Sequence, residues 1–224
     1  MDFPSRDGAD IIAPLDLQPL PNNIEWDGRI AFLDRDGVLN VGKVDYVNCI
    51  EDLVVLPLAA KSVGDLRRSG FRICVVTNQS PVNRGLWNHD RLREIHVELR
   101  KRLLAEDEDA HLDLVLYSPY VPWSGAWARK PNPGMLEAGR QIINAASEKM
   151  QLKSLVVASE YSAAQFPEGD FSCMVGDRPA DIKAGLKHGV RTFLVEEQLG
   201  IADVILRILD FSDQGDDLSV ISGD

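Results

Sequence analysis

Cysteine is scarce in this chain, and so are long apolar runs and positive charge. Three cysteines, Cys49, Cys74 and Cys173, stand far apart in 224 residues. That spacing offers neither a disulfide framework nor a Cys-x-x-Cys metal pair, and it suits a reducing, cytoplasmic setting. Cys74 and Cys173 lie inside apolar runs and read as buried thiols. No stretch approaches membrane-spanning length. The N-terminus carries acidic residues and scattered prolines where a leader peptide would have a basic start and an apolar core. The formal net charge is −11. A surplus of that sign opposes a general nucleic-acid or membrane-surface partner, because both are polyanions. It leaves room for a small phosphorylated substrate, which needs only a local cationic pocket. The 45% hydrophobic content is that of an ordinary globular protein, and the length suits one large domain. A monomer or a weak dimer is expected.

What is present is an alternation. Residues 1–28 are rich in Pro, Asn and Asp and read as an extended arm lying on the body. Apolar, β-rich runs follow at Arg29–Asp34, Arg72–Thr77, Leu112–Ser118, Ser172–Gly176 and Arg191–Val195. Helical patterns separate them at Leu58–Ser69, Asn88–Leu104, Pro133–Lys149 and Ala180–Lys187. Asn88 is a natural N-cap, and Leu92, Ile95, Leu99 and Leu103 keep helical spacing. Gly70 and Gly189 stand where helices should end. Strand–helix alternation of this kind predicts an α/β, doubly wound (Rossmann-like) parallel sheet with helices on both faces. The main domain spans 29–210. Residues 151–170 hold an apolar run, Leu155–Ala158, and then a polar loop, which suits an extra strand or an insertion. The acidic tail, 211–224, is expected to fray.

Polar groups gather at the strand ends, where sites form in such sheets. Asp34 and Asp36 lie two residues apart just past the apolar run Ile30–Leu33. Carboxylates at i and i+2 of an extended segment point the same way. Such a pair is costly unless a cation or a proton is shared, so it implies a metal-dependent site or a raised carboxylate pKa. The second strand ends in Thr77-Asn78-Gln79-Ser80. Arg129-Lys130-Pro131 follows the third, and Gly176-Asp177-Arg178 ends the fourth, with Asp181 four residues on. Each has a plain structural use: Thr77 and Asn78 in a turn, Lys130 as a solvated lysine, Asp177 as a helix cap. Carboxylates, a hydroxyl, a lysine and further carboxylates at successive strand ends are hard to treat as accident.

The ordered set Phe-Leu-Asp-Arg-Asp-Gly-Val-Leu-Asn, Val-Val-Thr-Asn-Gln-Ser, Arg-Lys-Pro-Asn-Pro-Gly-Met-Leu and Met-Val-Gly-Asp-Arg, within residues 29–195, resembles the haloacid dehalogenase-like (HAD) phosphotransferase superfamily. It looks most like the branch that holds the D-glycero-D-manno-heptose 1,7-bisphosphate phosphatases and the histidinol-phosphate phosphatases. The resemblance implies a phosphoric monoester hydrolase. Asp34 would be the nucleophile that becomes an aspartyl-phosphate. Asp36 would be the general acid and then the base, for which a raised pKa is expected. Thr77 and Lys130 would hold the phosphoryl oxygens. Mg²⁺ would be bound by Asp34, the Asp36 main-chain carbonyl and Asp177, with Asp181 supporting that shell. Asn78, Arg84 and Arg129 are the candidates for the rest of the substrate.

One departure from the branch stands out. Its heptose phosphatases carry a zinc loop before the Arg-Lys-Pro motif, whose ligand positions here align with Ser118, Tyr120, Ala126 and Ala128. None is a zinc ligand, so no zinc is expected. The loop carries Tyr117, Tyr120, Pro122, Trp123 and Trp127 instead, which either pack against the body or, through Trp123 or Trp127, wall the substrate. About 35 residues separate Asp36 from the second strand and about 50 separate Thr77 from Lys130, too few for a large cap domain beside the helices already assigned. An open site follows. A heptose bisphosphate is the first substrate expected, and histidinol phosphate or another small phosphomonoester the alternative. A polynucleotide 3′-phosphatase is opposed by the acidic balance. A catalytically silent binding module of this fold is opposed by the complete set Asp34, Asp36, Thr77, Lys130 and Asp177.

Overall fold

The computed structural model describes residues 2–156 and 170–221. Six strands form one sheet in the order β1-β4-β3-β2-β5-β6. They are β1 (Ser5–Arg6), β2 (Ile30–Leu33), β3 (Arg72–Asn78), β4 (Leu114–Ser118), β5 (Cys173–Gly176) and β6 (Arg191–Leu194). β2 through β6 run parallel, and β1 alone pairs antiparallel, with Ser5 opposite Tyr117 and Arg6 opposite Leu116. The helices are α1 (Ala59–Arg68), α2 (His89–Glu106), α3 (Gly134–Ser147), α4 (Pro179–His188) and the short α5 (Ile205–Leu209). Asn88 caps α2 as its sequence suggests, its side-chain oxygen accepting from the Arg91 N–H at 2.9 Å. Among the described residues, no helix is long and apolar enough to cross a membrane.

The sheet is covered on both faces, which is why its strands read as unbroken apolar runs and not as alternating ones. Ala31 and Leu33 of β2 face a core shared with α1 and α2, where Val63, Leu66, Ile95 and Leu99 are buried. Ile30 and Phe32 face the opposite core, built with Met135, Leu136, Ile142 and Ala184 of α3 and α4. The chain fills the sheet from β2 outward through β3 and β4, then returns to β5 on the other side. The strand order therefore reverses at β2, and the ends of β2 and β5 open onto the crevice where ligands of such sheets bind. No domain-sized insertion covers that crevice among the described residues.

The expected arm is more than an appendage, because it adds the antiparallel edge strand. Its backbone is also bound by two arginines: Arg67 donates to the Pro19 carbonyl at 2.8 Å and Arg72 to that of Gln18. Both arginines share Asp113, at 2.7 and 2.9 Å. The tail expected to fray is tied to β6 as far as Asp216, which donates its N–H to the Thr192 carbonyl and accepts from the Leu194 N–H. Leu155 is buried beside α3, and Val156 bonds twice to the Gln141 side chain. The remainder of the run Leu155–Ala158, and the loop after it to 169, lies outside the described residues.

Candidate active site

Asp34 follows β2 directly, and its N–H still bonds to Val175 of β5 at 2.9 Å. That last sheet bond aims its carboxylate across the crevice toward the end of β5, where Asp177 lies. Asp34, Asp177 and Asp181 each offer an oxygen, all within 4.8 Å of one another, the one such metal-sized group among the described residues. Lys130 reaches the same place from the loop before α3. Its buried ammonium lies 3.0 Å from Asp34 Oδ1 and 2.6 Å from Asp181 Oδ1. Gly37 makes this crowding possible. A Cβ on it would fall 2.6 Å from the Asp177 carboxyl carbon, and its φ of 78° is one that side chains rarely adopt.

Three carboxylates around one lysine are short of positive charge. Burial, with the charge of Asp34 beside it, pushes Asp177 up to about 6. Burial also raises Asp181, aided by Asp34 and Asp177 and opposed by Lys130. Lys130 in turn is held above the usual lysine range: burial opposes this, but Asp181 and Asp34 outweigh it. Asp177 Oδ1 is buried without a hydrogen-bond partner. Hard, sparse oxygen donors with an unsatisfied lone pair suit Mg²⁺, which keeps most of its own waters. The donor set therefore fits the metal expected.

Asp36 departs from expectation. Its carboxylate is held by Arg35 at 2.8 Å, by the Asn40 side-chain amide at 2.8 Å and by Gln79 at 3.2 Å. Burial raises its pKa, but the Arg35 charge and these hydrogen bonds outweigh burial, so the carboxyl sits below the usual range and not above it. The reason is local. Arg35, between the two aspartates, folds back on its neighbour with its side chain fully buried. Gln79 also donates to Thr77 Oγ1 at 3.0 Å, linking the hydroxyl at the end of β3 to Asp36. Asn40 and Gln79 stood inside the quoted motifs, yet nothing in their spacing showed which carboxylate they would meet.

The expected substrate residues divide. Asn78 borders the cleft, but its amide brackets the Lys130 backbone, donating to its carbonyl at 3.0 Å and accepting from its N–H at 3.2 Å. It holds the Lys130 backbone in place. Arg84 and Arg129 line a cleft of about 560 Å³ with Tyr46, Lys130 and Arg178. Neither Arg84 nor Arg129 pairs with a carboxylate among the described residues, and burial together with the charge of Arg84 lowers Arg129. Arg178 was not among the expected residues. It caps α4, stays exposed and lies 3.5 Å from Asp177. Its place directly after Asp177 was the available signal.

The aromatic loop mostly packs. Trp127 meets Phe3 of the arm edge to face at 5.8 Å and donates to Glu137 at 3.0 Å, and the Tyr120 hydroxyl donates to the Phe3 carbonyl. Trp123 is the exception, 77% exposed, with the Arg84 guanidinium 5.6 Å above its ring. Ser118, Ala126 and Ala128, the positions aligned above with the expected zinc loop, are buried.

A HAD-hydrolase-like family profile matches residues 127–203. A D-glycero-D-manno-heptose-1,7-bisphosphate 7-phosphatase of Thermosynechococcus vestitus is 33% identical over 187 residues, 78% of this chain and 81% of that protein. The D-glycero-β-D-manno-heptose-1,7-bisphosphate 7-phosphatase of Pseudomonas aeruginosa is 34% identical over 113 residues. That match covers 50% of this chain and 61% of the relative, so it spans less than two thirds of the relative's length. Among solved structures, the D,D-heptose 1,7-bisphosphate phosphatase from B. bronchiseptica, complexed with magnesium and phosphate, superposes with a TM-score of 0.57 at 25% identity. It covers 80% of this chain and 86% of that one. The chain belongs to the HAD-like phosphatases, in the family of the heptose-1,7-bisphosphate 7-phosphatases.

Proposed function

We propose that this chain is a Mg²⁺-dependent phosphomonoesterase that removes one phosphate from a heptose 1,7-bisphosphate by way of an aspartyl-phosphate on Asp34. The observation that carries this reading is the position of Asp34: at the strand-order reversal, 3.0 Å from Lys130, in one oxygen cluster with Asp177 and Asp181. Asp34, Asp177 and the Asp36 main-chain carbonyl would hold Mg²⁺, with Asp181 supporting them. The metal would neutralise phosphoryl charge there.

The chain's own residues do the rest. Lys130 and the Thr77 hydroxyl hold phosphoryl oxygens, and an Asp34 oxygen attacks phosphorus as the ester P–O bond breaks. Asp36 gives its proton to the leaving oxygen. It is held as a carboxylate by Arg35, Asn40 and Gln79 in the structure, the form needed for the second step, when it takes a proton from the water that frees phosphate from Asp34. An arriving phosphate opposes the Arg35 charge and so favours the protonated form needed for the first step. Arg84, Arg129 and Arg178 supply cations for the second phosphate of a bisphosphate, and Trp123 backs the Arg84 guanidinium. Phosphoryl transfer depends mostly on positioning and charge, so this set suffices. Ser118, Tyr120, Ala126 and Ala128 support a zinc-free loop. The three free thiols fit a cytoplasmic setting.

The test is phosphate release with Mg²⁺, and with EDTA as control, from both anomers of the heptose bisphosphate, histidinol phosphate and a panel of small phosphomonoesters. Turnover of the bisphosphate well above the rest supports the reading. Preference for histidinol phosphate reassigns the substrate, and no release from any ester removes the enzyme.

A further inference from the structure

A buried chain of polar contacts leaves the site through Arg35 and ends on the N-terminal arm. Arg35 NH1 lies 3.3 Å from His96 Nε2, and the other face of its guanidinium holds Asp36. His96 Nδ1 lies 3.3 Å from Asp7 Oδ1, and Asp7 Oδ2 accepts from Arg100 at 2.6 Å. Asp7 follows β1, and its N–H bonds to the Val115 carbonyl at 3.0 Å, so pairing of the arm with the sheet edge is what delivers this carboxylate. The side chains of Arg35, His96 and Asp7 are 0%, 1% and 5% exposed. A guanidinium only donates, so His96 Nε2 must be the bare nitrogen and Nδ1 must carry the proton. Asp7 is the group placed to hold that tautomer. Burial keeps the imidazole neutral, which agrees.

We propose that Asp7, on the arm, fixes His96 so that His96 holds Arg35 and Arg35 in turn positions Asp36. Asp7 and His96 are positioning residues and touch no substrate. The arm is then part of the active-site machinery, and a chain without it lacks the outer support of its acid/base group. The catalytic consequence rests on the phosphatase reading above; the tautomer does not.

The experiment has two arms. In the first, ¹⁵N NMR of the full-length protein reads the His96 tautomer. The expected state is Nδ1–H with Nε2 bare, and an Nε2–H imidazole overturns the proposal whether or not phosphatase activity is found. In the second, His96→Phe, Asp36→Asn and the double variant are compared by steady-state kinetics on the best ester of the panel. Loss of alignment predicts a fall in kcat of roughly 10- to 100-fold for His96→Phe with KM within about threefold. In the Asp36→Asn background the same change should alter kcat by less than about twofold, because the group it aligns is gone. Equal fold losses in both backgrounds overturn the proposal. Asp7→Ala should lower kcat in the same direction, and Asp7→Asn, which keeps an acceptor, should restore most of it. An Asp7→Asn variant no better than Asp7→Ala also overturns it. If wild type releases no phosphate, the phosphatase reading fails, and the NMR arm still decides the tautomer.

Discussion

The ammonium of Lys130 lies 3.0 Å from Asp34 Oδ1 and also, at 2.6 Å, against Asp181. One buried cation thus offsets two buried carboxylates, and a third, Asp177, stands close by. Removing one partner from a buried, paired group leaves the others uncompensated. Lys130→Met should destabilise the metal-free protein by about 3–5 kcal/mol at neutral pH. Urea unfolding monitored by tryptophan fluorescence reads this, and an unchanged midpoint would show that the carboxylates are solvated in a way the structure does not have.

The raised pKa of Asp177 sets a pH dependence whose sign can be worked out. Its carboxyl titrates near 6 in the fold and near 4 in the unfolded chain, so folding favours the protonated form. That contribution is fully present below about pH 4 and is lost as pH rises through about 6. Without metal, wild type should therefore lose stability relative to Asp177→Asn between about pH 4 and pH 7. Added Mg²⁺ should reverse the order at pH 7 if Asp177 holds it as proposed. A Tm difference that is flat with pH and indifferent to Mg²⁺ would contradict the assigned environment.

Gly37 gives a steric test of the proposed metal site. A methyl group there meets the Asp177 carboxyl carbon at 2.6 Å, in a backbone conformation with φ of 78°. Gly37→Ala should cost about 1–3 kcal/mol of stability and displace Asp177. Mg²⁺ affinity, read by calorimetry, should fall with it. Full affinity in the variant would mean that Asp177 is free to move aside.

If the cleft arginines bind the second phosphate as proposed, they should distinguish one phosphate from two. Charge-assisted hydrogen bonds of this kind contribute roughly 1.5–3 kcal/mol each, so Arg129→Ala should raise KM for the bisphosphate by at least about tenfold. A monophosphate of the same sugar should change by less than about threefold. Equal losses on both esters would place Arg129 at the reacting phosphate or in the scaffold.

Much of this was legible in the sequence because strands buried on both faces must be apolar throughout, and each such run ends where polar residues begin. β2 to β6 and the four long helices follow from that. Asp34, Lys130, Asp177 and Asp181 were legible for the same reason: they stand at strand ends or at the start of helices that pack on them. β1 was not, since two residues in a proline-rich arm carry no periodicity. Nor was the state of Asp36. Its environment is set by Arg35 folding back beside it and by Gln79 from just past β3, and Arg35 is backed by His96, a residue of α2 that no motif in the sequence singles out. Asn78 shows the converse, a polar residue at a strand end whose amide is spent on the backbone of Lys130.

The most direct measurement is acid-quench trapping during single turnover with the best substrate, followed by mass mapping of the phosphorylated peptide. The account predicts an acyl phosphate on the peptide containing Asp34, sensitive to hydroxylamine, and a loss of at least about a thousandfold in turnover for Asp34→Asn. Phosphate on another residue, or an Asp34→Asn protein that keeps more than about a tenth of wild-type turnover, would contradict it.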